Sequence, residues 1–351
     1  MRRVYMLFVY ALVFGILPGA QYLRAQMYTI TELVPEDIES RAVAINNSGQ
    51  IAGVAAQYAF LWDPKAGKEW LPALPGYNGA AARGINDAGH VVGCSLLCQG
   101  PSCIEAHAFV YRDGSLTDLQ AGQYSCATAI NGADQITGYS GTSGFLWSSG
   151  TLTLAGFGDF SEIEPRAINE AGEVAGARWD TVPSPECYAS PYPPCHFVTT
   201  GYPFRWANGS LTTLGPAGAT ASSINNSEAI AGTFSRGGRS QAFLTDTSGS
   251  FLPLGTLDGF NSSSAWGINN SGDVVGTAYS CEGGSCSNWT AFLYRNGVMI
   301  DLNDRVSQSD WHLVSATAIN DKGQIIATGR KDGQTHSKAL LLTPAEIVPV
   351  P

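Results

Sequence analysis

The chain is 351 residues long and carries a formal charge of −10, with only 14% charged residues and 41 Gly and 18 Pro among the rest. That charge excludes nucleic acid and anionic lipid surfaces as partners, since both require a basic footprint. The Gly and Pro content, with so few charges, points to an exported all-β protein rich in turns.

Arg2 and Arg3 precede an apolar run from Val4 to Leu17. This is the basic and apolar order of a secretory leader, with cleavage expected after Ala20 or Ala25. Residues 1–25 are therefore assigned to a signal peptide and residues 26–351 to a single domain. No Cys lies beside the junction, so no lipid anchor is expected, and no membrane contact once the leader is removed. The next segment, Tyr28 to Leu33, alternates as a strand does but belongs to no complete repeat.

From there on one unit recurs, best seen as G-I-N-D-A-G-H-V-V-G at Gly84 to Gly93. Its asparagine falls at Asn46, Asn86, Asn131, Asn169, Asn225, Asn269 and Asn320, in steps of 40, 45, 38, 56, 44 and 51 residues. Such a period, with insertions, marks a repeat architecture. Ile precedes every asparagine, and a Gly follows seven positions later except in the last copy, which has Ala327. Alternation before Asn and β-branched residues after it predict strand, tight turn, strand, with the Asn side chain bonding nearby backbone and Gly accepting positive φ. The turn itself reads Asn-x-x-Gly, and Asp134 and Glu228 replace its glycine three positions after Asn; Glu228 predicts a different turn in the fifth copy.

An aromatic run such as Ala59 to Trp62 or His107 to Tyr111, and a short alternating segment such as Ser115 to Leu119, complete four strands per repeat. Four-stranded units at this period predict a β-propeller. The last repeat lacks its fourth strand, and Tyr28 to Leu33 supplies one, so a closed ring of seven blades is expected. Blades should begin near Glu39, Gly79, Tyr124, Glu164, Gly218, Asn261 and Trp311. Small residues two and four positions before each Asn, as at Ala42 and Ala44, place a crowded face of the first strand toward the axis.

The order A-I-N-x-x-G-x-[IV]-x-G, then His107-Ala108-Phe109, then G-x-x-x-x-L, resembles the bacterial HAF-repeat family of extracellular repeat proteins. The likeness spans about Tyr28 to Pro344, although only one copy keeps the His. It implies export and a propeller-like repeat, and no catalytic residues.

Eight cysteines behind a leader favour disulfides over metal. Cys187–Cys195, Cys281–Cys286 and Cys98–Cys103 each lie within one insertion between second and third strands, which leaves Cys94 for Cys126 as a bridge between neighbouring blades. The other reading is a zinc cluster from Cys94, Cys98 and Cys103, which lack a CxxC pair. Calcium is set aside because the Asn turns never alternate carboxylates. No metal, cofactor or catalytic residue is assigned.

Recognition is expected on the face that carries these insertions. The longest runs from Arg178 to Gly201 and presents Trp179, Tyr188 and Tyr192 among its prolines. Acidic clusters occur in two connections between blades, one with Asp159, Glu162 and Glu164, the other with Asp310 beside Trp311 and His312. His107 is expected to pack in the core. The leading reading is a non-enzymatic binding or scaffold module at the cell exterior, facing a glycan, a peptide or another exported protein. The rival is a carbohydrate-active hydrolase or lyase that uses the clustered acids.

Overall fold

Each asparagine turn in the computed structural model closes in the same way, which settles how the strands on either side of it pair. The structure describes residues 26–153, 162–183, 197–246, 250–307 and 310–345. The backbone N–H of Asn46 donates to the Gln50 carbonyl and that of Gly49 donates back to the Asn46 carbonyl, and the other six copies repeat both bonds. The Asn side-chain oxygen accepts the N–H groups two and four residues on, at 2.9–3.2 Å in all seven copies. With its backbone committed, the turn tolerates Asp134 at φ 58° and Glu228 at φ 64°. The different turn expected at Glu228 is not found. Its carboxylate meets Arg205 at 2.7 Å, which helps offset the left-handed conformation.

Seven four-stranded antiparallel sheets follow, giving a seven-bladed β-propeller with almost no helix. The innermost strands are Ser40–Ile45, Gly79–Ile85, Ser125–Ile130, Glu162–Ile168, Ala219–Ile224, Ser262–Ile268 and Trp311–Ile319, each within two residues of the expected start. The seventh sheet takes its outer strand from the other end of the chain. Tyr28–Glu32 pairs antiparallel with Lys338–Pro344, with Ile30 opposite Leu342.

Blades pack through one phenylalanine each. Phe60, Phe109, Phe145, Phe204, Phe243 and Phe292 are fully buried, each opposite a glycine of the second strand. Leu340 takes the place of Phe in the seventh blade, opposite Ala327. Trp62, Trp147 and Trp206 lie partly buried against the same clusters.

The asparagine does more than shape its own turn. Its side-chain N–H donates to the backbone carbonyl of the asparagine in the next blade, from Asn46 to Asn86 and onward until Asn320 returns to Asn46, at 2.9–3.3 Å. All seven asparagines are 2–5% exposed. A closed cycle of buried side-chain bonds thus links every blade to the next, which the sequence reading of a local turn did not anticipate.

Cys94 and Cys126 are bonded, joining the second blade to the third, and Cys98–Cys103 and Cys281–Cys286 close hairpin tips. Cys187 and Cys195 lie outside the described residues, as does the leader at 1–25. The interblade bridge closes 32 residues of chain and Cys98–Cys103 only 5. Loop-closure entropy then predicts losses of about 3.5 and about 2 kcal/mol on removing them by paired Cys→Ser substitutions. Urea unfolding of the two double variants checks the order; equal losses would contradict it.

Candidate functional site

A β-bulge in every inner strand decides what faces the axis. Pairing skips one residue between the positions four and two before Asn, as between Ala42 and Ala44, and the same shift recurs in all seven blades. The skipped residues are Val43, Arg83, Thr128, Arg166, Ser222, Trp266 and Thr317, and all of them line the central channel. A bulge frees one residue from the ladder and re-aims its side chain. This corrects the simple period-two reading of the axial face. The alanines four before Asn are fully buried (Ala42, Ala82, Ala127, Ala221, Ala265 and Ala316) and the bulged residue takes the axis instead. Two before Asn, a methyl on Gly84 would lie 3.0 Å from the Ala129 Cα and one on Gly267 would lie 2.8 Å from the Ala318 Cα. Small residues are needed there because neighbouring blades touch.

Along the axis, three cavities share lining residues. They measure about 260 Å³ at the asparagine end, about 270 Å³ at the waist, and about 730 Å³ at the opposite end. The wide end lies where the inner strands begin. Antiparallel order puts the tips of the second-to-third hairpins, with their disulfides, on that same face.

The two ends differ in charge. At the asparagine end, Asp87, Glu170 and Asp321 border the cavity. Each accepts a backbone N–H from the preceding blade, donated by Asn47, Gly132 and Asn270 respectively. These carboxylates therefore belong to the structure of the ring.

At the wide end stand Arg41, Arg83 and Arg166 with one carboxylate, Glu164, and Trp266. Glu164 is engaged by Arg166 at 2.8 Å. Arg41 and Arg83 make no ion pair among the described residues. Desolvation, and next the charge of Arg83, lower the Arg41 guanidinium from its ordinary value against the smaller opposing charge of Glu39. Trp266 is 43% exposed, and its indole N–H donates to the Thr277 hydroxyl at 3.1 Å, which fixes the ring. The hydroxyls of Ser222, Thr233 and Thr328 line the same recess and are buried without a hydrogen-bond partner.

The sequence-derived candidates divide. Trp179 is half-buried beside the mouth, with its ring 5.9 Å from the Arg166 guanidinium. Glu162 is exposed at the start of its inner strand, opposite Trp179 in register, and does not line the cavity. Asp310 pairs with Lys331 at 3.0 Å, and that bond holds its carboxyl below the usual range. Trp311 packs on the core near Lys331, and neither residue reaches the channel cavity. In the same connection, Asp301 caps a 3-10 turn at Leu302–Arg305, and the His312 ring bonds the Trp289 carbonyl. Asp159, Tyr188 and Tyr192 lie outside the described residues.

His107 is not the core residue expected. It sits between Asp118 at 3.1 Å and Glu105 at 3.3 Å, with Tyr77 against its ring. Arg41, Arg83, Arg166 and Trp266 were not singled out from the sequence. Their signal was present all the same, because three of them stand three positions before Asn, where the seven copies carry unlike residues between positions that stay small.

No protein-family model matches this chain, and no curated protein matches it. Solved structures do. Porphyromonas gingivalis dipeptidyl peptidase 4 is 11% identical at a TM-score of 0.51, over 88% of this chain and 53% of that one. Virginiamycin B lyase from Staphylococcus aureus is 11% identical at 0.51, over 91% and 100%. Acylaminoacyl peptidase from Pyrococcus horikoshii is 10% identical at 0.50, over 87% and 51%. The chain spans about half the length of the two peptidases. Likeness at these identities establishes the propeller fold alone.

Proposed function

We propose that this chain is an exported repeat protein of the HAF kind that acts at the cell exterior as a non-enzymatic binding module. Its ligand enters the wide mouth of the channel, on the face of the disulfide hairpins. The observation that carries this reading is the recess of about 730 Å³, which holds two guanidinium groups that form no ion pair among the described residues and a fixed, part-exposed indole. Recesses of this size with a few convergent polar groups are where small ligands bind.

Three disulfides support an oxidising compartment, and no helix among the described residues is long and apolar enough to cross a membrane. The rival reading, a carbohydrate-active hydrolase or lyase, needs two unengaged carboxylates facing one substrate. Glu164 is held by Arg166 and Asp310 by Lys331, and Glu162 does not line the recess, so these three do not supply such a pair there.

A glycan and peptide array probed with the purified protein tests the assignment. Trp179→Ala and Trp266→Ala, each checked for an unchanged thermal transition, should weaken capture at least about tenfold, the size expected of an aromatic anchor. Undiminished capture by both folded variants would remove the hairpin face from consideration. Release of reducing ends or unsaturated products from an arrayed glycan would favour the enzyme.

A further inference from the structure

We propose that the wide mouth is built for a compact acidic saccharide, with a sugar carboxylate on Arg41 and Arg83 and a sugar ring against Trp266. The inference rests on the binding-module reading and names the ligand class of that site.

The charge argument comes first. Arg41 and Arg83 stand on adjacent blades and line one recess, whose single carboxylate, Glu164, is taken by Arg166; neither forms an ion pair among the described residues, although the charge of Glu39 acts on Arg41. Both side chains are exposed, and two like charges in one recess repel each other, a repulsion that a bound anion relieves. A guanidinium presents paired donors that match a planar carboxylate. Arg166, already neutralised by Glu164, is positioned to orient the ligand, and it adds little net charge.

Selectivity follows from the remaining wall. Trp266 offers an apolar face pinned by its bond to Thr277, suited to the C–H face of a pyranose ring. Ser222, Thr233 and Thr328 line the recess with hydroxyls that are unpartnered but closed off from its surface, so a sugar hydroxyl would reach them only after a side-chain rotation. A net charge of −10 and the acidic rim at the opposite end oppose a long polyanion. Together these features favour a short, ring-bearing, singly or doubly charged ligand over a polymer threaded through the channel.

Calorimetric titration of the purified protein tests this with four probes: a uronic-acid trisaccharide, the same trisaccharide with its carboxyls reduced to alcohols, a sugar phosphate, and an acidic tripeptide. The uronate should bind, and its reduced counterpart should bind at least tenfold more weakly. Arg41→Gln with Arg83→Gln should erase that preference, and Trp266→Ala should weaken whatever remains for both sugars. Neither arginine forms an ion pair among the described residues, so the double variant should melt like the wild type, which a thermal scan checks.

Equal affinity for charged and reduced sugars overturns the proposal, as does stronger binding of the phosphate or the peptide. Failure of all four probes also overturns it, while array capture that depends on Trp179 would still uphold the wider binding reading.

Discussion

Replacing Asn131 with Ala should lower the unfolding free energy by about 4 kcal/mol, because four hydrogen bonds to one buried side chain are lost at once, at about 1 kcal/mol each. Its side-chain oxygen accepts from the Ala133 and Gln135 N–H groups, and its side-chain nitrogen donates to the Gln135 side chain and to the Asn169 carbonyl. The residue is 2% exposed, and its bond to the Asn169 carbonyl is fully buried, where water replaces it least readily. Asn131→Asp separates the two jobs. Asp serves a local turn as well as Asn does, keeping both accepted bonds. What it lacks is the donor toward the next blade, and it sets a carboxylate oxygen against the Asn169 carbonyl. If the bond between blades matters, Asn131→Asp is destabilised about as much as Asn131→Ala at neutral pH. Calorimetric melts of the two variants decide it. A wild-type melt for Asn131→Asp would reduce the asparagine cycle to seven independent turns.

This contrast also marks where the sequence stops being legible. Seven asparagines at a propeller period, each between strand-like segments, name the fold because every local preference agrees with it. The spacing of Cys94 and Cys126 identifies a bridge between blades once the fold is assumed. Two features are hidden for physical reasons. A side-chain bond to a carbonyl some forty residues away leaves no trace in local pattern, since a turn alone already accounts for Asn. The bulge breaks the period of two just where Arg83, Arg166 and Trp266 turn to the axis, so alternation assigns them to the wrong face. Glu228 is the opposite case. Its side chain disfavours the turn locally, and bonds from the rest of the copy impose the turn regardless. The acids picked out near Asp310 and Glu162 were clustered in sequence, yet proximity along a connection does not place two carboxylates in one recess.

Gly276→Ala should be the most damaging small substitution in the core. An added methyl would lie 2.0 Å from the Ser264 carbonyl oxygen and 2.6 Å from the Phe292 ring, and the backbone oxygen has no room to retreat. Overpacking commonly costs about 1–3 kcal/mol. A clash with backbone on one side and a buried ring on the other should exceed that, at about 4 kcal/mol or more. The seventh blade shows how the chain itself accommodates the larger residue. There Ala327 stands opposite Leu340, so the extra methyl is matched by a smaller partner in place of Phe. Phe292→Leu alone should cost about 1–2 kcal/mol through lost packing. Combined with Gly276→Ala it should recover stability relative to the single glycine variant, with a coupling of at least about 1 kcal/mol in a double-mutant cycle followed by urea unfolding. Strict additivity would mean that the backbone contact with Ser264 dominates and that the Gly–Phe pairing across the strands is incidental. Coupling would mean that the residue seven places after each asparagine and the aromatic opposite it form one packing unit, repeated around the ring and varied together only in the blade that closes it.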